Sequence, residues 1–470
     1  MGSLKIEIIT KKLIKPSKPT PKHLHKVNLS LFDQVAPKVY VDSFFYYSGD
    51  TNDNCSITAQ RCERLEKSLA DALVDLYQLA GRYVRDEVAI DCSDQGAEFW
   101  LARVSCKLSE FLPICYQEIE AVDELLPWGI HPPAVDLPSS PQLAIQVSSF
   151  DDGGIMVAVR ISHIIADATT GSLLMRKWAA ACAARPGLDN HNGSSHGFCH
   201  EIACVFPATP SFELKHPRII TRSSRGDGSS DQDKIVTRRF LIPLELVMKI
   251  KGEVAASYAA AKLPSRVVVA LAIVWKSLMA MLVAKKGYLK GSALSIATSL
   301  RGKTPLVGAE NNKLVFGNFY ISTIVPFVGE DNNEDVKLCD LIHLLSSMIA
   351  DTHAKVAIAS KDELATMLIN SRKGILMDGF DNKKEDRSTH DIGLDVYYCS
   401  SWFGALPVYE IDFGWGKPIW ASVSSQPAPG LCLMDSADGS AVELWVSLKN
   451  IEMSIFKQQF YRFCPSPTPS

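Results

Sequence analysis

Apolar positions along the chain follow two rhythms. Between residues 58 and 76 they recur at Leu65, Leu69, Leu73 and Leu76, the i, i+4, i+8, i+11 stripe of an amphipathic helix. Gln78-Leu79-Ala80-Gly81-Arg82 follows, and Gly81 suits the left-handed position that closes a helix. Residues 88–91 and 97–101 flank Ser93-Asp94-Gln95-Gly96, which reads as a hairpin. Ile155-Met156-Val157-Ala158-Val159 is a nearly unbroken apolar run, the mark of a buried strand. It leads into Arg160-Ile161-Ser162-His163-Ile164-Ile165-Ala166-Asp167-Ala168-Thr169-Thr170-Gly171. Thr169 or Thr170 is placed to cap a helix that runs to about residue 184, where Pro186-Gly187 stops it.

The second half repeats the mixture. Residues 267–284 are mostly apolar, 293–297 and 320–325 read as strands, and 329–335 and 378–391 are polar insertions. Residues 188–234 are rich in Gly, Ser, Asn and Asp and divide the chain into halves of similar size. The reading is mixed α/β (α+β): an N-terminal domain over 1–187, a crossover loop over 188–234 and a C-terminal domain over 235–470.

At 470 residues the chain is long for one domain, and its 47% apolar content supplies an ample core. A net charge of -3 gives no electrostatic reason to expect nucleic acid or an anionic membrane as partner. The 18-residue run 267–284 has the shortest length that spans a bilayer, but Lys276 stands at its centre. A central lysine costs roughly 2.5–3.5 kcal/mol on insertion scales, so a buried core helix is expected. Twelve cysteines are scattered without a CxxC pair, and MGSLKIEIITKK lacks the apolar core of a secretory leader. Ile6 stands where a myristoylation signal needs Ser or Thr, and the C-terminal FCPSPTPS is no prenylation box. Free thiols and a cytoplasmic protein are expected.

Chemistry concentrates at His163. A histidine at the end of a buried strand is kept neutral by desolvation, and neutral imidazole is what a general base requires. A satisfied core histidine is the plain alternative. A metal pair of His163 with Asp167 is another, but no third ligand is spaced to match, so no metal is expected. A second feature, Tyr409-Glu410-Ile411-Asp412-Phe413-Gly414-Trp415-Gly416-Lys417-Pro418, reads by itself as a tight turn after a strand.

Taken together, the His-x-x-x-Asp and Asp-Phe-Gly-Trp-Gly segments resemble the plant BAHD acyltransferases, which use a coenzyme A thioester to acylate an alcohol or amine. The resemblance extends to residues 14–21, Leu31-Phe32-Asp33-Gln34, the box at 78–82, Ser299-Leu300-Arg301, Phe316-Gly317-Asn318 and Ser400-Ser401-Trp402. It looks strongest to the branch containing vinorine synthase. It implies two similarly built domains, each a mixed sheet with flanking helices, and an active-site tunnel between them. It also implies a monomer acting on acyl-CoA, commonly acetyl-CoA, with no permanently bound cofactor. The acceptor is then a hydroxyl of a specialised metabolite such as an alkaloid or terpenoid.

In that setting His163 takes the acceptor's proton, the oxygen attacks the thioester, and the tetrahedral oxyanion collapses to ester and CoA thiolate. A thiol pKa of about 8.5 makes this an easy leaving group. No serine or cysteine forms an evident nucleophile motif near His163, so direct transfer is expected. The resemblance makes Asp167 structural, turned towards Arg301 and Asn318, and makes Asp412 architectural together with Gly414, Trp415 and Gly416. It offers Trp402 as oxyanion donor, with core packing as the alternative, and places Ser400 and Ser401 beside it.

Ser265 begins the apolar helix, where free N–H groups suit a CoA phosphate, with Arg266 nearby and Lys285 and Lys286 basic but at the far end of that helix; capping by Ser265 alone is the alternative. Ala168 stands where many relatives carry glycine, and Ser162 where peptide-condensation domains carry a first histidine. The rival functions are a non-catalytic relative that binds CoA or a metabolite, and an N-acyltransferase acting on an amine.

Overall fold

Two six-stranded mixed sheets organise the protein. The computed structural model describes residues 4–49, 55–183, 201–209, 231–257, 263–289, 291–307, 315–328, 336–377, 394–401, 407–426 and 428–465. The chain opens with β1 (Ile6–Ile14), β2 (Lys26–Asn28), α1 (Leu31–Gln34), β3 (Tyr40–Tyr47) and α2 (Cys55–Asp75). It continues through β4 (Arg82–Val84), β5 (Ala89–Asp91), β6 (Ala97–Val104), α3 (Leu108–Gln117) and β7 (Leu143–Phe150). Next come β8 (Ile155–Ser162), α4 (Ala168–Cys182), α5 (Glu201–Val205), β9 (Ile235–Pro243) and α6 (Leu244–Ser257). Then follow α7 (Arg266–Lys286), β10 (Gly291–Ser299), β11 (Tyr320–Val328), α8 (Leu338–Ile358) and α9 (Lys361–Met377). The last elements are β12 (Asp395–Ser401), β13 (Trp420–Val423), β14 (Gly430–Asp435), β15 (Ala441–Lys449) and α10 (Asn450–Phe463).

The first sheet has the order β1-β6-β7-β8-β3-β13, and the second β11-β10-β12-β14-β15-β9. A three-stranded sheet, β2-β5-β4, accompanies the first. The chain forms two units. One comprises 1–214, 306–319 and 404–424; the other comprises 215–305, 320–403 and 425–470. A boundary near 187–235 therefore describes the chain only in part. Two segments from the second half return to the first unit, and one of them carries Asp412 and Trp415. The sequence shows no sign of this exchange, because β13 is only Trp420–Val423 and earns its place by pairing with β3.

In the second unit, α7 runs as expected through 267–284, with its side chains buried from Val268 to Leu282 apart from Lys276 and Ala280. It is long and apolar enough to cross a membrane, yet 72% of its apolar window is buried inside the protein. Trp275 Nε1 donates to Ser292 Oγ at 3.0 Å, and Lys276 lays its ammonium over the Phe463 ring at 4.9 Å. Lysine is thus accommodated by snorkelling to a ring at the core's edge.

Three local expectations change. Gly81 is extended (φ -91°, ψ -170°), not left-handed, because α2 ends at Asp75 and a short 3-10 turn over Tyr77–Ala80 intervenes. Glycine is needed there for room: a Cβ would lie 2.5 Å from the Asp91 carbonyl oxygen. The 88–91 and 97–101 strands do not pair with one another, since β5 pairs with β2 and β4 while β6 pairs with β1 and β7. The turn chemistry is real (Asp94 and Gly96 have φ of 56° and 96°), but the chain crosses between sheets there. Most of the expected crossover loop, and both polar insertions at 329–335 and 378–391, lie outside the described residues.

Candidate active site

β8 is buried along its whole length, paired with β7 on one side and β3 on the other. A strand flanked on both edges cannot shift its register without breaking both ladders, so the residue after Ser162 is presented at a fixed point. That residue is His163, in a turn, half-buried, with Nδ1 shielded from solvent. Its backbone is held from two directions. The His163 N–H donates to the Val39 carbonyl at 2.9 Å, and its carbonyl accepts from Asn318 Nδ2 at 2.8 Å.

Asp167 is the N-cap of α4, displacing Thr169 and Thr170 from that expected role. Its Oδ1 accepts the Thr170 N–H at 3.0 Å, a carboxylate satisfying a helix-end donor. Its Oδ2 accepts the Phe319 N–H at 3.2 Å. Asn318 was expected to face Asp167, but the structure turns its amide to Asp33 and to His163 instead. Arg301 belongs to the second unit, where its N–H donates to Ser299 Oγ at 3.4 Å. Ala168 is exposed at the first position of α4 with ordinary backbone angles, so nothing there demands glycine.

The Phe316-Gly317-Asn318 segment is fitted to this place. Thr170 Oγ1 donates to the Gly317 carbonyl and accepts the Gly317 N–H, each at 3.1 Å. Gly317 has φ 99°, and a Cβ on it would sit 3.1 Å from Asp33 Oδ1. Asp33 Oδ1 accepts the Asn318 N–H at 2.7 Å and Asn318 Nδ2 at 3.0 Å. On its other oxygen, Ser30 donates through N (3.1 Å) and Oγ (2.6 Å), closing a capping box on α1. Burial pushes the Asp33 carboxyl above its ordinary value, against the lowering effect of these hydrogen bonds. Asp33 drew attention in the sequence only as part of the Leu-Phe-Asp-Gln box. The clue was Ser30 three residues before it, a capping pattern ahead of a buried helical turn.

Asp412 folds its own loop. Its Oδ1 accepts the N–H groups of Gly414 (2.7 Å) and Gly416 (3.0 Å), both glycines at positive φ (102° and 114°). Tyr47 donates to the Ile411 carbonyl at 2.9 Å, and Arg64 Nη2 donates to the carbonyls of Cys182 (2.7 Å) and Phe413 (3.2 Å). Phe413 packs edge-on against Trp178 at 4.9 Å and stacks on Trp415 at 5.7 Å, while the Arg64 guanidinium lies over Trp415 at 5.3 Å. The loop is thereby fixed to α2, β3 and α4, the helix that Asp167 caps.

The other expected residues fare differently. Ser265 caps α7, its Oγ accepting the Val268 N–H at 3.2 Å. Arg266 pairs with Asp435 at 2.9 Å, Lys285 with Glu452 at 2.6 Å and Lys286 with Asp395 at 2.6 Å. Lys285 and Lys286 stand in the last turn of α7, away from its start; at the start itself Ser265 caps the helix and Arg266 is paired with Asp435. Ser400 is exposed with Oγ 3.4 Å from the Leu431 carbonyl; Trp402 and the Ser401 side chain lie outside the described residues. The cysteines whose side chains are described are free thiols. Burial pushes Cys62 and Cys464 up to about 11 and Cys432 to about 12, and raises Cys182 and Cys399 as well. None of these is poised as a thiolate nucleophile.

Comparison with known proteins matches this framework along nearly its whole length. A family model described as the Transferase family matches residues 4–463. Epi-neemfruitin B synthase of Melia azedarach is 30% identical, over 97% of this chain and 96% of its own. Acetyl-CoA-benzylalcohol acetyltransferase of Clarkia breweri is 30% identical, over 97% and 98%. Stemmadenine O-acetyltransferase of Catharanthus roseus is 29% identical, over 97% of both chains. Among solved structures, vinorine synthase superposes with a TM-score of 0.74 at 24% identity, over 98% of each chain, and shares the two-domain fold.

Proposed function

The chain belongs to the BAHD acyltransferases of the Transferase family and is an acyltransferase enzyme, and from that premise we propose its reaction: transfer of an acetyl group from acetyl-CoA to a hydroxyl of a plant alkaloid or terpenoid. Relatives that carry acetyl-CoA or O-acetyltransferase in their names cover 97% of this chain, which supports both the donor and the acceptor class. The observation that carries the catalytic part is the double backbone grip on His163, from the Val39 carbonyl and the Asn318 amide. A general base contributes only when it is held within hydrogen-bond reach of the proton it removes.

His163 is the base in this reading. With Nδ1 buried, the assignment falls on Nε2, which takes the proton of the acceptor hydroxyl. The oxygen attacks the thioester carbonyl, the C–S bond breaks, and the proton held by Nε2 passes to the CoA thiolate. Burial raises the Cys182 and Cys399 thiols, which supports direct transfer over an acyl-cysteine. Asp167 and Asp412 bear on the reaction through the backbone they fix. Trp402 is retained as the donor to the oxyanion, a contribution of roughly 3 kcal/mol for one such group; Trp402→Phe should then lower kcat and leave the KM for acetyl-CoA unchanged.

The test is thiol release from acetyl-CoA, followed with a chromogenic thiol reagent against a panel of alkaloid and terpenoid alcohols. Release that depends on the alcohol and disappears in His163→Ala supports the proposal. Release only with amines reassigns the acceptor, and binding of CoA without any release marks a non-catalytic relative.

A further inference from the structure

The Asn318 amide uses both hydrogens of its Nδ2, one on Asp33 Oδ1 at 3.0 Å and one on the His163 carbonyl at 2.8 Å. Its Oδ1 is buried and accepts nothing. Turning the amide over would aim that oxygen at two acceptors, so its orientation is fixed by chemistry and not by choice of fit. The bridge also has no slack, because Asn318 is fully buried and its backbone N–H is bound to the same Asp33 oxygen at 2.7 Å.

We infer that Asp33 is a positioning residue for His163, acting through the Asn318 side chain. The carboxylate sits 7% exposed on α1, anchored by Ser30 from one oxygen, and offers the other to Asn318. It therefore decides where the amide points. The amide decides how far the His163 carbonyl stands from the end of β8, and hence where the imidazole is carried. A displacement of about 1 Å in a reacting group costs on the order of 10²-fold in rate. Phe32, next to Asp33, adds a second tie to the same segment through an edge-on contact with Phe319 at 5.2 Å. The role goes with the acyl-transfer reading of His163 and rests on it.

Four variants separate positioning from plain fold support. Asp33→Ala and Asn318→Ala should each lower kcat about 10²-fold while leaving the KM for acetyl-CoA within about threefold. The double variant should lose no more than either one alone, since both cut one path. Ser30→Ala removes one of the two donors to the far oxygen of Asp33 and keeps the Ser30 N–H, so it should lower thermal stability and reduce kcat less than Asp33→Ala does. Asp33→Asn keeps one acceptor oxygen for Asn318 and should recover part of kcat; it serves in place of Asp33→Ala if that variant fails to fold.

A readout independent of turnover is the hydrogen-exchange rate of backbone amides 162–165, which should rise in Asp33→Ala, Asn318→Ala and Asp33→Asn, and less in Ser30→Ala. Faster exchange without measurable turnover in the wild type would leave positioning standing and remove the acyl-transfer reading. Unchanged exchange and kcat in folded Asp33→Asn, or losses that multiply in the double variant, overturn the inference.

Discussion

Asp167 and Asp412 do the same elementary thing, accepting backbone N–H groups, but over very different spans of chain. Asp412 ties N–H groups two and four residues ahead, bonds that lie within its own loop. Asp167 ties one donor three residues ahead and another 152 residues away, at Phe319. The Asp412 loop is also held from outside by Tyr47, Arg64 and a group of rings. The Asp167 segment is completed only when 317–319 docks on it. A loop that shapes itself transmits a defect mainly as lost stability. A segment that needs a distant partner transmits a defect to whatever else that partner holds, and here that is His163.

The largest effect expected is at the group that the 317–319 segment holds. His163→Ala should lower kcat by about 10³-fold, within the 10²–10⁴ range of general-base contributions, with little change in melting temperature. Next comes Asp167→Ala, which removes a helix cap and the anchor of Phe319 together, a loss of about 2–3 kcal/mol. Turnover per folded molecule should fall with it. Asp167→Asn keeps an acceptor for one of the two donors, and is expected to cost more in folding than in transition-state binding. Equal soluble yield and melting temperature with lost turnover would place Asp167 in the chemistry and erase its contrast with His163.

Gly414→Ala probes the other region. The residue has φ 102°, and a Cβ would lie 2.8 Å from Arg64 Nη2 and 3.2 Å from the Ala183 Cα. Strain at the left-handed φ plus displacement of Arg64 should cost about 1–2 kcal/mol. The drop should appear in the melting temperature, while kcat of the folded fraction stays near wild type. A kcat loss as large as that of Asp167→Ala would show that the loop is not self-contained.

Much of this was legible in the sequence, and the rest was hidden for identifiable reasons. The apolar run before His163 announced β8, because a strand buried on both faces needs no alternation. The 267–284 helix was legible through its length, and Lys276 at its centre spoke for a core helix over a bilayer span. The two motifs named the family. What could not be read were partners set by tertiary pairing: β13 joining β3, β5 and β6 parting to different sheets, and Asn318 turning to Asp33 instead of Asp167. Gly81 and Gly317 were visible as glycines, but their reasons are the Asp91 carbonyl and the Asp33 carboxylate, which come close only in the folded chain. Thr169 and Thr170 were the caps the pattern offered for α4, and Asp167 takes that place because the helix starts at Ala168.

The smallest effect expected concerns acid response, where two carboxylates oppose one another. Asp438 is exposed and held by Ser436 and Ser440, which bring it from 3.8 down to about 2. Its contribution is present above 3.8 and is lost as the pH falls towards 2. Asp33 goes the other way, because burial outweighs its hydrogen bonds and raises it above 3.8. Below 3.8 both the folded and the unfolded chain hold its proton, so it adds no slope. As the pH rises from 3.8 through the raised value, the unfolded chain releases the proton while the folded chain keeps it, and stability declines. Above that value the decline is complete. Asp33→Asn removes this term, so the variant should gain on the wild type as the pH rises through the window, and neither should gain beyond it. Melting temperatures of both proteins across the acid range test this directly. Parallel curves would mean that the four donors around Asp33 hold it ionised at its ordinary value, and the positioning bridge to His163 would then keep its full charge at every working pH.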